Sequence, residues 1–231
     1  MPDTTPNLAL PLLAAAQAQK HVTHNEALVR LDAVVQLAVI DRRAAPPSSP
    51  AEGDRHLVDA GASGAFTGHE DEIALRDGEG WSFLAPRAGW RLYIAAERAS
   101  LIHDGDAWTD ALAATPGGGA FALRAYEAEV TLAGASTVAA LAIPDRAICL
   151  GVASRTAEAV TGATSYSVGI AGDTAKFGSS LGVAPGASNI GVIGPQAFYA
   201  DTPLVITAAG GAFTGGKVRL VLYCIVLAAP L

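Results

Sequence analysis

A chain of 231 residues can bury a sizeable core and has room for one large domain or two modest ones, of which two is the preferred reading. Its 22 acidic against 15 basic side chains give a net charge of −7, which argues against any role that depends on neutralising nucleic-acid phosphates. Apolar residues make up 51% but aromatics only 6%, so the hydrophobicity is carried by Ala and small aliphatics, which suit flat, extensive subunit contacts.

The opening, MPDTTPNLALPLLAAAQAQK, lacks the basic stretch that starts a secretory signal. Residues 11–41 carry the clearest helical signal. Pro11 suits a first-turn position, and Thr23 followed by Glu26 reads as a capping box, predicting a second helix from near His24 to about Arg42. Leu28, Leu31, Val35 and Ala38 then share one face, a stripe that needs another surface to cover it. Asp41-Arg42-Arg43 and Pro46-Pro47 end the helix.

From residue 50 to 110 the pattern becomes short strands punctuated by Gly and Asp. Gly53-Asp54-Arg55-His56-Leu57-Val58 is echoed by Gly89-Trp90-Arg91-Leu92-Tyr93-Ile94, and each copy leads to an Asp-Gly turn followed by Trp81 or Trp108. Asp-Gly between apolar runs signals a hairpin, so two small β-units are expected, with their tryptophans packing within the units. Thr115-Pro116-Gly117-Gly118-Gly119 reads as a flexible linker and a domain boundary. Charge changes there too: residues 1–115 hold 16 acidic and 9 basic side chains, whereas 116–231 hold 6 of each.

Beyond it, short runs rich in Val, Ile and Ala alternate with Gly, Pro, Asn and Ser, the pattern of a β-sandwich or jelly roll. Cys149 and Cys224 each sit in such a run and read as core thiols, though their spacing leaves open whether they pair. The longest apolar run, 218–231, contains Arg219 and is shorter than the ~20 residues a membrane-spanning helix requires, so no membrane insertion is expected.

The run Gln17-Ala18-Gln19-Lys20-His21-Val22-Thr23-His24-Asn25-Glu26-Ala27-Leu28, with Leu31-Asp32, resembles the opening of an uncharacterised-domain family found in tailed phages, prophages and gene transfer agents of alphaproteobacteria. Pro50-Ala51-Glu52-Gly53-Asp54-Arg55 and Pro86-Arg87-Ala88-Gly89-Trp90 look like later segments of that family. Phe177-Gly178-Ser179, Asn189-Ile190-Gly191 and Phe198-Tyr199-Ala200-Asp201 are similar to the portion often attached to its C-terminal side. The resemblance implies a tail fibre or spike, commonly trimeric, with an N-terminal assembly part and an outward β-domain. It carries no catalytic residues.

The residues support few catalytic constellations. Gly178-Ser179-Ser180-Leu181-Gly182 matches the nucleophile elbow of hydrolases, but all five histidines (His21, His24, His56, His69 and His103) precede it, whereas that fold places its histidine afterwards. His21 and His24 could share a helical face, and His69-Glu70-Asp71-Glu72 could chelate a hard cation; an assembly contact and a solvated turn explain them more simply. Glycoside hydrolysis needs two carboxylates, and Glu127, Glu129, Asp145, Glu158, Asp173 and Asp201 are the candidates in the second half. Sugar binding needs less: an aromatic face and a few polar groups. Tyr166, Asp173, Lys176, Phe177, Asn189, Phe198, Tyr199 and Asp201 are the candidate contacts, and Gln17, Lys20, His21, His24, Glu26, Leu28, Leu31 and Val35 the candidate assembly residues.

The expected architecture is mainly β: a helical attachment segment (1–49), a hairpin region (50–114), a Gly-rich linker (115–120) and an antiparallel β-sandwich or jelly roll (121–231), assembled as a homotrimer. The expected function is that of a non-enzymatic virion-type tail fibre or spike binding cell-surface polysaccharide, with no cofactor or metal. Other particle proteins would hold the N-terminal region, and the chain would be made in the cytoplasm and released with a phage or gene-transfer-agent particle. A polysaccharide depolymerase and a purely structural particle component are the alternatives.

Overall fold

The computed structural model describes residues 3–13, 20–78 and 80–230, and the chain divides into two compact units, Met1–Asp110 and Ala111–Leu231.

In the first unit, helix α1 spans Lys20–Val34. Thr23 and Glu26 therefore lie inside the helix, not at its start, and it ends well before Arg42. One contact and one backbone turn explain the early stop. Arg55 donates from Nη1 to the carbonyl of Ala33 at 2.9 Å, occupying one of the acceptors a helix leaves open at its C-terminus. Gln36 then adopts a left-handed conformation (φ 53°) that turns the chain away. The following apolar residues leave the helix for two short strands, β1 (Ala38–Val39) and β2 (Arg42–Arg43). Pairing with a sheet and burial of Leu37 and Val39 outweigh the local helical period.

The hairpin region supplies β3 (Arg55–Val58), β4 (Ile73–Asp77), β5 (Gly80–Leu84), β6 (Arg91–Ile94), β7 (Ala99–His103) and β8 (Trp108–Thr109). They form two antiparallel meanders, β3-β4-β5 and β6-β7-β8. Each is extended by a strand from the segment after the helix: β2 runs parallel to β3, and β1 runs parallel to β6. The sequence echo is thus a structural echo, with one Asp-Gly turn between β4 and β5 and the other between β7 and β8. The tryptophans pack inward as expected. Trp90 and Trp108 lie against a core of Leu37, Val39, Leu57, Ile73, Leu92, Ile94 and Leu101, and Trp81 meets Phe66 edge-on at 5.0 Å.

The second unit comprises β9 (Ala113–Ala114), β10 (Ala120–Thr131), β11 (Ser136–Ile143), β12 (Ile148–Thr161), β13 (Ser165–Ile170), β14 (Asp173–Leu181), β15 (Ser188–Ala197), β16 (Thr202–Ala209) and β17 (Gly215–Ala228). The eight longer strands pair from the outside inward: β10 with β17, β11 with β16, β12 with β15, and β13 with β14. Rolling that long double ribbon also joins β12 to β17 and β13 to β16, giving facing sheets in the orders β15-β12-β17-β10-β9 and β11-β16-β13-β14. This is the topology of a jelly roll, with a core of Val152, Val168, Leu204, Ile206, Leu220 and Leu222 between the sheets.

The glycine-rich stretch before β10 is not a linker between units. It is the turn of the β9–β10 hairpin, held by the Thr115 amide on the Gly119 carbonyl (2.8 Å), the Gly118 amide on the Thr115 carbonyl (2.9 Å) and the Gly119 amide on Thr115 Oγ1 (3.1 Å). Three glycines allow a tight reversal as readily as flexibility. The Gly178–Gly182 motif is also placed differently from a nucleophile elbow: through Leu181 it belongs to β14, and the chain continues from it to β15 without a helix.

A candidate binding cleft at one end of the jelly roll

Strand direction sets which loops gather. The 144–147 loop, the 171–172 turn and the 198–201 loop all lie at the end of the sandwich where β12 begins. Two of these loops are bonded to each other. The Arg146 amide donates to the Phe198 carbonyl (2.7 Å), the Phe198 amide to the Ala147 carbonyl (3.0 Å), and the Asp145 amide to Asp201 Oδ1 (2.9 Å). Neighbouring side chains on the bend at 198–200 part company: Phe198 enters the core, while Tyr199 stands 83% exposed.

Beside Tyr199 lies a cleft of about 550 Å3 lined by Asp145, Arg146, Ile148, Ala197, Tyr199 and Leu227. Arg146 Nε lies 3.5 Å from Asp145 Oδ2, and both side chains are open to solvent. At such exposure their mutual attraction is weak, so either group can exchange its partner for a ligand at little cost. An aromatic ring, an aliphatic floor and an adjacent cation and anion form a set suited to a sugar: the ring and floor meet its apolar face, and the charged pair meets its hydroxyls or a carboxylate.

Of the candidate glycan contacts, the structure brings Tyr199 and Asp201 to this place, although Asp201 is engaged by the Asp145 amide. Tyr166 and Phe177 are buried core residues. Thr156 donates its hydroxyl proton to the Gly182 carbonyl at 2.8 Å, so the Tyr166 hydroxyl, 3.0 Å away, donates to Thr156. Phe198 is likewise buried and anchors the loop that carries Tyr199. Asn189 is structural: its Nδ2 donates to the Phe177 carbonyl at 2.8 Å, tying β15 to β14 where the two sheets meet. Gly191 permits that approach, because a Cβ there would collide with the same carbonyl. Asp173 and Lys176 face each other across 3.9 Å on β14. No local sequence signal gathers Asp145, Arg146, Ile148, Ala197 and Leu227 into one site. A Pro-Asp-Arg turn between two apolar runs marks a loop, but nothing local says which other loop it meets.

At the N-terminal side, Gln17 lies outside the described residues, as do the side chains of Lys20 and His21. His24 and Glu26 are exposed and Leu28 is half-buried. Leu31 and Val35, expected on a covered stripe, are 47% and 39% exposed. The helix instead buries Asn25, Asp32 and Ala33. Asp32 is a clasp: Oδ1 accepts from Thr5 Oγ1 (2.7 Å) and the Leu8 amide (2.6 Å), and Oδ2 accepts from the Asn7 amide (3.0 Å) and Asn7 Nδ2 (2.8 Å). Burial pushes its pKa upward, but the bonds from Thr5, Asn7 and Leu8 outweigh this and leave it below the ordinary carboxylate value. Seven residues earlier, on the same helix face, Asn25 Oδ1 accepts from the Leu13 amide (2.9 Å) and Asn25 Nδ2 donates to the Leu13 carbonyl (3.1 Å).

The chain is thus a two-unit, β-rich protein whose second unit is a jelly roll with an open groove at one end. A family described as "Protein of unknown function (DUF2793)" matches residues 24–109. No curated protein sequence matches the chain. Among solved structures, a chain of the cyanophage Pam1 capsid asymmetric unit shares 23% identity with a TM-score of 0.38, over 50% of this chain and 92% of that one. Among the described residues, no helix is long and apolar enough to cross a membrane.

Proposed function

We propose that the chain is a subunit of a virion-type tail fibre or spike, assembled as a homotrimer, which attaches to bacterial cell-surface polysaccharide through the end of its jelly roll. The observation that carries this reading is the 83% exposure of Tyr199 beside the cleft of Asp145, Arg146 and Leu227. An exposed ring at the rim of a cleft that also offers a cation and an anion can stack on the apolar face of a sugar while the charged groups meet its hydroxyls. The resemblance of the N-terminal run to particle proteins supports the assembly context, and jelly rolls are common among capsid and lectin domains, which is an analogy of fold alone. Several copies per particle would add to the strength of attachment that one cleft supplies.

The test is binding of the purified chain to host cells, to capsule-deficient cells and to isolated capsular polysaccharide. Binding that requires capsule and falls about tenfold in Tyr199→Ala, the equivalent of ~1.4 kcal/mol, supports the reading. Equal binding to both cell types, or none to either, refutes it. Release of reducing ends from the polysaccharide would replace attachment by depolymerisation. In that case Asp145, which lines the cleft, and Asp201, whose Oδ1 accepts from the Asp145 amide, are the carboxylates to substitute first.

A further inference from the structure

We infer that the outer face of the five-stranded sheet is the surface on which a second copy of this chain docks. The register places one apolar field across four strands. Ile190 stands opposite Ala153 and Ala153 opposite Val221; Val192 opposite Gly151 and Gly151 opposite Tyr223; and Ile225 opposite Leu123, with Phe121 two residues before Leu123 on β10; Ile148 and Leu227, which line the cleft, bound this field and stay outside it. Directly opposed residues in neighbouring strands share a face, so these rows form one continuous surface.

Its exposure is large. Ile190 and Val192 are each 76% exposed, Leu123 57%, Tyr223 41% and Phe121 40%. Taking roughly 150–200 Å2 for a fully exposed large side chain, these five alone present about 430–580 Å2 of surface. That lies in the upper part of the ~300–600 Å2 found for the largest patch on a monomer, a size often functional, and is more than half of the ~800 Å2 per partner of a stable interface.

Charge selects the occupant. The other end of the same face carries Arg155, Arg219 and Lys217 together with Glu127, Glu129 and Glu158. Five of them are cross-linked, Arg219 to Glu129 (3.0 Å), Arg219 to Glu127 (3.8 Å) and Lys217 to Glu158 (2.6 Å). Three of each sign leave this face neutral, although the whole chain carries −7. A surface that must meet copies of itself around a symmetry axis cannot carry a net charge without self-repulsion, and an apolar field beside a neutral charged border meets that condition. An anionic lipid surface would favour a basic face, which this is not.

The surface is inferred from exposure, register and charge; only the copy number of three rests on the proposed function. Sedimentation of the full chain at micromolar concentration tests it, beside the double variant Ile190→Glu/Val192→Glu, the variant Leu123→Lys on the same face, and Val138→Glu as a control. Val138 is 62% exposed on the opposite sheet, so its substitution adds charge outside the proposed interface. The expected result is a multimer for the wild type and Val138→Glu, and monomers with unchanged far-ultraviolet circular dichroism for both face variants. A trimer or a dimer lost in this pattern supports the interface, and a dimer overturns only the threefold reading. A monomeric wild type overturns the inference, including one that floats with phosphatidylglycerol vesicles. So does a multimer that survives in both face variants.

Discussion

Replacing Asp32 by Asn or Ala should release the N-terminal segment from helix α1 while leaving both sheet systems intact. Hydrogen bonds to a charged acceptor are worth roughly 1.5–3 kcal/mol each, and Asp32 accepts four. The full sum is not lost, because Asn7 and Leu8 lie at the surface and their donors regain water when the segment lifts. About 3 kcal/mol is the reasonable net, which corresponds to a segment opening roughly 100-fold more often. Asn is nearly isosteric but turns one acceptor oxygen into a donor that faces two other donors, so it should be almost as damaging as Ala. Amide exchange at Leu13, whose N–H is bonded to Asn25 Oδ1 on the same helix face, reads the opening. The same carboxylate sets an acid limit. Its pKa is lower in the folded chain, so its contribution is complete above the unfolded value of about 3.9 and is lost as pH falls through the lower folded value. A wild-type exchange rate at Leu13 in Asp32→Asn would refute this account of the clasp.

Phe177→Ala should cost about 3–5 kcal/mol, seen as a lower urea midpoint, because it hollows the jelly-roll core; unchanged stability with weakened ligand binding would instead restore it as a contact residue. Tyr199→Ala should leave that midpoint within about 0.5 kcal/mol of wild type, since the ring is exposed. Cys149 and Cys224 stand directly opposite on β12 and β17, both buried and both free, and burial raises each thiol's pKa. A thiol reagent at neutral pH should therefore label neither until the second unit unfolds, and prompt labelling of the native chain would contradict their burial. Gly191→Ala should destabilise the second unit in denaturant titration more than Gly194→Ala, because a Cβ at 191 meets the Phe177 carbonyl whereas one at 194 meets nothing.

The sequence alone determined the elements whose signal is local. Alternating apolar runs broken by Gly, Pro and Asn specify the strands of the second unit, and the paired Asp-Gly turns specify two similar meanders with inward tryptophans. Only tertiary structure decided the rest. Residues 37–43 keep a helical period but become strands, because pairing with β6 and β3 satisfies their backbone while burying Leu37 and Val39. The covered face of α1 is polar: Asn25 and Asp32 find partners in a segment about 12–27 residues earlier, and hydrophobic periodicity cannot register such a pairing. Thr115–Gly119 could equally be a tether or a tight turn until β9 met β10. The cleft joins residues from 145 to 227 because the jelly roll winds distant loops to one end. A long-range pairing of that kind leaves no trace in the spacing of neighbouring residues.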